Sequence, residues 1–504
     1  MKKILKFGTV GKVSFIIFIS RLSGYIRDMC FATFIGAGPL GDALMAAFKI
    51  TNLFRAIFSE GAMNAALVPA ISQAMKTHGS NYAKVVASHL LSTLLIVLII
   101  FTGFIFYQME NFILITNPGF ISNSYIFNLT VELSYIMFPY LTFISAAAFY
   151  GAILQTKKVF VPYAATSIIL NIILIICLYV NNLFIAYSPV HVFAYALFFS
   201  GILELSWMIF CAKKYNAKLY LRKPIMSRYV KVILKRIVPG IFGAGIIQIS
   251  VWCDMLILSF YTGGISYLYF ADRIVQLPLA IFSTANSIVL LQSLSKADTI
   301  PNEKYIIFNR TLRTMLGFII PSAVGIFVIS GEIIQVLFMH GAFNHEAATN
   351  TAIILQILSI ALPFQAMSKL YYAGINATGN TSTPVKFSFI SLLINIALSL
   401  ILMSFIEYKS VAVATVISSG CQTIMLILYC EKNYQLSHET KKDILKYIIA
   451  SLIMTIVLYF FKSTSVSLVL LSSDVILGVI SYSVSLFVMR AEFINDILRR
   501  KNII

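Results

Sequence analysis

Seven ionisable residues stand early in this chain where hydrocarbon should surround them. Arg21, Arg27, Asp28, Asp42, Lys49, Arg55 and Glu60 are set in a stretch otherwise rich in Phe, Ile, Leu, Ala and Gly. Charge at membrane depth is costly, so such groups face a protected or watery cavity and mark a path. With Arg273 and Lys369 further along, the set is mainly cationic and points to an anionic cargo. Arginine forks suit phosphate oxygens bidentately, and lysine adds a point charge. We therefore take Arg21, Arg27, Arg55, Arg273, Lys49, Asn52 and Lys369 as candidate anion ligands, with Asp28, Asp42, Glu60 and Asp272 as the acids set among them. The competing reading is that some of these arginines reach a nearby interface or pair with Asp28 or Asp272 to hold helices together.

Spacing refines that set. Arg21 and Arg27 are about 1.7 helical turns apart, a rise of about 9 Å. A bend or unwinding at Gly24 would be needed to bring their guanidiniums together. Lys49 and Asn52 share a helix face. Further along, Asp254 lies inside an apolar run, where a carboxylate needs a cation, a proton or a partner. Asn395 and Thr415 offer neutral oxygens, so Asp254, Asn395 and Thr415 are the candidate Na⁺ site. Ser399, one turn after Asn395, stands where a second acid would strengthen it. Na⁺ or proton coupling is the expectation; the alternative is a protonated Asp254 bonded within a helix interface. Glu132 and Glu204 are expected at interfaces.

The elements that must position these groups follow from composition. The chain has 504 residues, 59% hydrophobic and only 11% charged, against about 25% charged in soluble proteins. Its mean hydropathy is +0.89. Apolar runs of about 18–25 residues recur throughout, each long enough to cross a bilayer as a helix. Strand-period alternation with aromatic girdles is missing, which argues against a β-barrel. The expected fold is an all-α polytopic membrane protein with about fourteen transmembrane helices.

The net charge of +19 does not point to nucleic acid, because the basic residues sit in alternate loops. One side carries Lys157–Lys158, the run from Lys213 to Arg236, the set Lys432, Lys441, Lys442 and Lys446, and the tail Arg499–Lys501. Loops 107–127, 180–190 and 331–346 contain no Lys or Arg, and only Lys409 and Lys462 interrupt the pattern on that side. The positive-inside rule then makes both termini cytoplasmic. The six cysteines fall in or beside apolar spans and read as small buried hydrophobes. Lys2, Lys3 and Lys6 precede the first apolar run without a small-x-small cleavage site, so that run reads as an uncleaved span.

The second half echoes the first. Ala56-Ile57-Phe58-Ser59 recurs as Ala280-Ile281-Phe282-Ser283, and Tyr150 with Pro162 recurs at nearly the same offset as Tyr372 with Pro384. Each Pro is followed by an apolar span with one Asn, Asn171 and Asn395. An even number of spans per repeat gives parallel six-helix lobes, a transporter architecture with its site at the interface of the halves. The expected division is an N-lobe over 1–211, a basic linker over 212–236, a C-lobe over 237–432, and two further helices with a tail over 433–504.

Nothing in the sequence supplies an enzyme's parts. There is no GxxxxGK[ST] for ATP and no HExxH; His340 and His345 share a loop, too few for a metal site. A membrane glycosyltransferase or phosphatase would need clustered acids or a nucleophile–base set. The expectation is a non-enzyme with no cofactor.

Arg21-Leu-Ser-Gly24-Tyr-Ile-Arg27-Asp28, Gly36-Ala-Gly38, Asp42-Ala43, the run from Ala47 to Ala62 and Pro69 resemble the bacterial lipid II flippase family MurJ (MviN). So do Ala271-Asp272-Arg273, Gly341-Ala-Phe343, and Lys369 upstream of Thr383-Pro384-Val385-Lys386. The resemblance spans roughly residues 10–430. It implies a fourteen-span member of the exporter superfamily that includes multidrug and polysaccharide exporters. It also implies a central cationic cavity for the diphosphate-sugar head group of lipid II, with Arg21, Arg27, Arg55 and Arg273 essential and Asp42 and Glu60 supporting. Two departures stand out: Ala56 lies where many relatives have a second Arg, and Gln276 where an acid is often seen. The function expected is export of lipid II to the outer leaflet of the bacterial inner membrane by alternating access. Its partners would be lipid II and membrane lipids, and the working unit a monomer. Alternatives are a flippase for another polyprenyl-diphosphate glycan, or a multidrug exporter, whose cationic drugs would call for an acid-rich cavity.

Overall fold

The computed structural model describes residues 2–61, 67–185, 187–225, 230, 248–296, 301–430, 434–461 and 467–492. Among the described residues every regular element is helical, as a chain in hydrocarbon requires: helices satisfy their own backbone groups. The chain divides into two compact units, one of residues 1–265 with Gly341–Phe343, the other of residues 266–340 with 344–504.

The first unit contains α1 (Lys2–Phe34), α2 (Pro39–Arg55), α3 (Val68–Tyr107), α4 (Met109–Thr116), α5 (Ser124–Met137), α6 (Tyr140–Thr156), α7 (Val161–Val180) and α8 (Pro189–Lys214). A shorter apolar helix, α9 (Gln248–Leu258), completes it. Helix α1 packs on α7, α2 on α5, α3 on α6, and α8 on both α6 and α7. Small residues bring these helices close, since lipid supplies no hydrophobic drive between them. A methyl group on Gly201 of α8 would stand 2.7 Å from Tyr140, and one on Gly151 of α6 2.7 Å from Tyr163. The tripeptide Gly341–Phe343 adds to this unit through Ala342 N–H, which donates to the Thr33 carbonyl at 2.8 Å.

The second unit contains α10 (Gly264–Pro278, its first two residues in the first unit), α11 (Ala285–Lys296), α12 (Pro301–Val328), α13 (Ser330–Phe338), α14 (His345–Ala377), α15 (Ser382–Ile406), α16 (Lys409–Cys430), α17 (His438–Phe461) and α18 (Leu468–Val488). Here α14 is the hub, packing on α11, α12, α13 and α16, while α15 adds to α16 and α17 joins α12 to α18. Pro363 sits inside α14 and Pro321 inside α12, which neighbouring helices tolerate at membrane depth.

The Ala-Ile-Phe-Ser repeat has a structural counterpart. Ala56–Gly61 and Leu279–Thr284 both wind as π-helical turns. Such turns insert one residue into a helix and re-aim the side chains beyond it.

Eleven helices are long and apolar enough to cross a membrane among the described residues. The expected spans outside that set are the first, second and seventh. Helix α1 carries Arg21, Arg27 and Asp28 in its second half, α2 has only 17 residues, and the start of the span around residue 248 lies outside the described residues, as does much of the expected linker. Large apolar side chains such as Phe104, Phe405, Phe461 and Phe487 are exposed, which suits contact with lipid.

Candidate functional site

The two arginines of α1 part company. The helix runs unbroken through Gly24, so no bend brings Arg21 to Arg27. Arg21 is exposed and Arg27 is buried. Arg27 Nη2 donates to Asp28 Oδ1 at 2.6 Å and Nε donates to the same oxygen at 3.0 Å. Its Nη1 donates to Asn171 Oδ1 on α7 at 3.1 Å. The guanidinium also lies 5.9 Å from the Phe48 ring centroid. Asn171 in turn donates to Ser23 Oγ at 2.9 Å and to the Ser20 carbonyl at 3.2 Å. A charge pair held this closely ties α1 to α7, and the pairing weighed against a ligand role for Arg27 is present.

Helix α2 carries the next group. Gly38 precedes it, Pro39 opens it, and Asp42 lies in its first turn, where a carboxylate meets the positive end of the helix dipole. Asp42 is buried and its Oδ2 accepts the backbone N–H of Gly263. One turn from the helix end, Asn52 donates to the Phe48 carbonyl at 3.0 Å and accepts from Arg55 Nε at 2.9 Å. The amide thus orients Arg55 just before the π turn. Lys49 is half-buried on the Asn52 side of the helix; the Glu60 side chain lies outside the described residues.

The structure adds a residue to this group. Glu204 of α8 is 1% exposed and within electrostatic reach of Arg55 and Tyr140. The expected interfacial position is corrected: close packing of Gly201 on Tyr140 carries Glu204 into the unit's interior. Its signal was present, as a lone carboxylate in an apolar 26-residue helix. Glu132 does lie exposed, 3.2 Å from His191.

In the second unit Arg273 is half-buried on α10. Its Nη2 donates to the Tyr269 hydroxyl at 3.2 Å, with the guanidinium 4.6 Å from that ring's centroid. Its neighbour Asp272 accepts from Gln276 Nε2 at 3.2 Å. Lys369 is half-buried on α14. Tyr269, one turn before Arg273, was missed in the sequence, although that spacing is a legible signal for stacking.

The candidate cation residues split. Asn395 donates to Thr415 Oγ1 at 3.2 Å and to Ser418 Oγ at 3.5 Å, tying α15 to α16. Thr415 Oγ1 donates in turn to the Val411 carbonyl at 2.8 Å. Asp254 belongs to the first unit and is half-buried on α9. No cluster of three or more His, Cys, Asp or Glu exists among the described residues.

Comparison with known proteins gives a consistent picture. Residues 31–485 match the family model "Lipid II flippase MurJ". A probable lipid II flippase MurJ of Rickettsia prowazekii is 31% identical over 459 residues, covering 89% of each chain. One from Aquifex aeolicus is 30% identical over 483 residues, covering 94% of this chain and 93% of its own. A solved lipid II flippase MurJ in an inward closed conformation superposes with a TM-score of 0.84 at 27% identity, over 96% of this chain and 99% of that one. An inward-facing multidrug transporter of the MATE family matches with a TM-score of 0.65 at 15% identity, over 82% of this chain and 97% of its own, a likeness of fold alone.

Proposed function

Since the chain belongs to the lipid II flippase MurJ family, we infer that it moves the undecaprenyl-diphosphate-linked peptidoglycan precursor from the inner to the outer leaflet of the bacterial cytoplasmic membrane. It is a multi-pass membrane protein that performs transport rather than bond chemistry. The observation that carries the site reading is the pair of half-buried, pre-oriented guanidiniums: Arg55 held by Asn52, and Arg273 held against Tyr269. A side chain locked by its neighbours loses less entropy when it grips a ligand. The diphosphate, costly to strip of water in hydrocarbon, would exchange hydration for these donors and for Arg21, Lys49 and Lys369 while the polyprenyl tail stays in lipid. Arg27 would act through α1–α7 packing, and Asp28, Asp42 and Asp272 would hold the cationic elements in place.

Two lobes alternating about the midplane would open this site to each leaflet in turn. The distribution of basic residues among the loops supports cytoplasmic termini, and the working unit is taken as a monomer. Coupling to Na⁺ or protons would run through Asp254, with Asn395 and Thr415 as neutral oxygens; an Asp254→Asn variant whose flipping keeps the same ion dependence removes that role. A carrier of another polyprenyl-diphosphate glycan would use the same anionic grip, and competition between head groups for flipping separates the two.

Arg21→Ala, Arg55→Ala and Arg273→Ala should each fail to support growth of cells depleted of their own lipid II flippase. Full growth with all three, at normal protein levels, would sink the cationic grip.

A further inference from the structure

Away from the arginine set, the first unit holds a cavity of about 450 Å³ whose lining includes Lys84, Lys213, Lys218 and Arg222 and no carboxylate. It is built from three pieces of chain. Lys84 rises from α3, Lys213 from the last turn of α8, and the segment after α8 forms the third wall. That segment alternates in burial, with Ala217 and Leu219 inside and Lys218 and Tyr220 outside. It is moored to α3 by spacing: Tyr220 N–H donates to Ser88 Oγ at 3.2 Å and Arg222 N–H to Ser92 Oγ at 3.0 Å. Two extended residues advance about 6.6 Å and four helical residues about 6 Å, so the registers agree. His89 Nδ1 lies 2.8 Å from the Lys223 carbonyl and adds a third tie. The Lys218 ammonium sits 4.9 Å from the Tyr220 ring centroid, which fixes its direction.

Like charges gathered on moored backbone repel one another. Lys157, which donates to the Tyr215 and Asn216 carbonyls at 2.9 and 2.7 Å, has its amine pushed below the ordinary lysine value by desolvation and then by the Lys84 charge. An anion in the cavity would offset the repulsion among these cations.

We propose that this cavity is a second anion site, for a phosphate-bearing group, separate from the arginines that grip the cargo. Four cations with a hydroxyl at hand match the oxygens of a phosphate or diphosphate. With the basic loops on the cytoplasmic side, the cavity opens at the cytoplasmic leaflet, so its occupant is an anionic lipid head group or a soluble phosphate compound. The inference rests on the proposed membrane orientation only for which side it faces.

The test uses full-length protein carrying Arg55→Ala and Arg273→Ala, which weakens the other grip by its two pre-oriented arginines, in phosphatidylcholine nanodiscs titrated with inorganic diphosphate by calorimetry. Binding should persist there, and should weaken about tenfold or more once Lys84→Gln, Lys218→Gln and Arg222→Gln are added, three surface pairings summing to that factor. Lys441→Gln is the control and should leave it unchanged. Absent binding in the double variant, or equal affinity with and without the three glutamines, overturns the proposal. Neither result bears on whether Arg55 and Arg273 support growth, so the two readings fail separately. Native mass spectra from mixed phosphatidylcholine–phosphatidylglycerol vesicles then separate the sources. A retained phosphatidylglycerol lost with the glutamines assigns the site to a lipid head group; diphosphate binding with none retained assigns it to a soluble compound.

Discussion

Helices α2 and α10 run into the same π turn and arrive there differently. Counting back from Ala56 and Ala280 sets Arg55 against Leu279, Asn52 against Gln276, Lys49 against Arg273, and Phe48 against Asp272. Both helices keep a cation followed three residues later by an amide. In the first unit that amide accepts from an added arginine. In the second, leucine replaces the arginine and the amide donates to an aspartate. An amide can do either, since it carries both a donor and an acceptor. The asparagines downstream of the repeated prolines diverge likewise: Asn171 accepts from the arginine of a buried ion pair, whereas Asn395 donates to the hydroxyls of Thr415 and Ser418. One repeat has added an arginine and its counterpart an aspartate, with the backbone plan retained.

The largest break in that contrast should come from Arg27. Arg27→Leu removes the guanidinium from a buried carboxylate and should cost about 3–5 kcal/mol, read as a large loss of thermal stability in detergent. Arg27→Leu with Asp28→Leu should recover most of it, because the penalty lies in the uncompensated charge. An unchanged melting temperature for the single variant would mean that the ion pair contributes little to the α1–α7 packing.

Next come the two asparagines. Asn171→Leu loses a bond to a charged group, worth about 1.5–3 kcal/mol, and Asn395→Leu loses bonds to hydroxyls, worth about 1 kcal/mol. Equal losses in thermal denaturation of the two variants would erase the distinction drawn between the units.

How far these arrangements were legible depends on what decides each one. Helices, membrane spans and the repeat come from composition and period, which act locally and survive without knowledge of contacts. The Ala-Ile-Phe-Ser echo was readable, but its π winding was not, since the extra residue per turn is settled by what packs around it. Arg21 and Arg27 looked alike in sequence; only the facing of α1 toward α7 separates an exposed cation from a buried pair. Glu204 was visible as a carboxylate in an apolar helix, yet its depth depended on Gly201 letting Tyr140 approach. The moored segment after α8 read simply as basic, because its register on Ser88 and Ser92 is a tertiary match.

The finest test concerns the amides themselves. Asn52→Leu leaves Arg55 charged but releases its side chain, forfeiting one charge-assisted bond of order 1.5 kcal/mol and slowing lipid II exchange between leaflets of vesicles about tenfold. The bond that Gln276 gives Asp272 is exposed and Arg273 keeps Tyr269, so Gln276→Leu should slow exchange by less than about threefold. The order matters more than either value. If Gln276→Leu proves the more damaging, then the acid that it holds, rather than the arginine that Asn52 holds, governs this turn of the repeat.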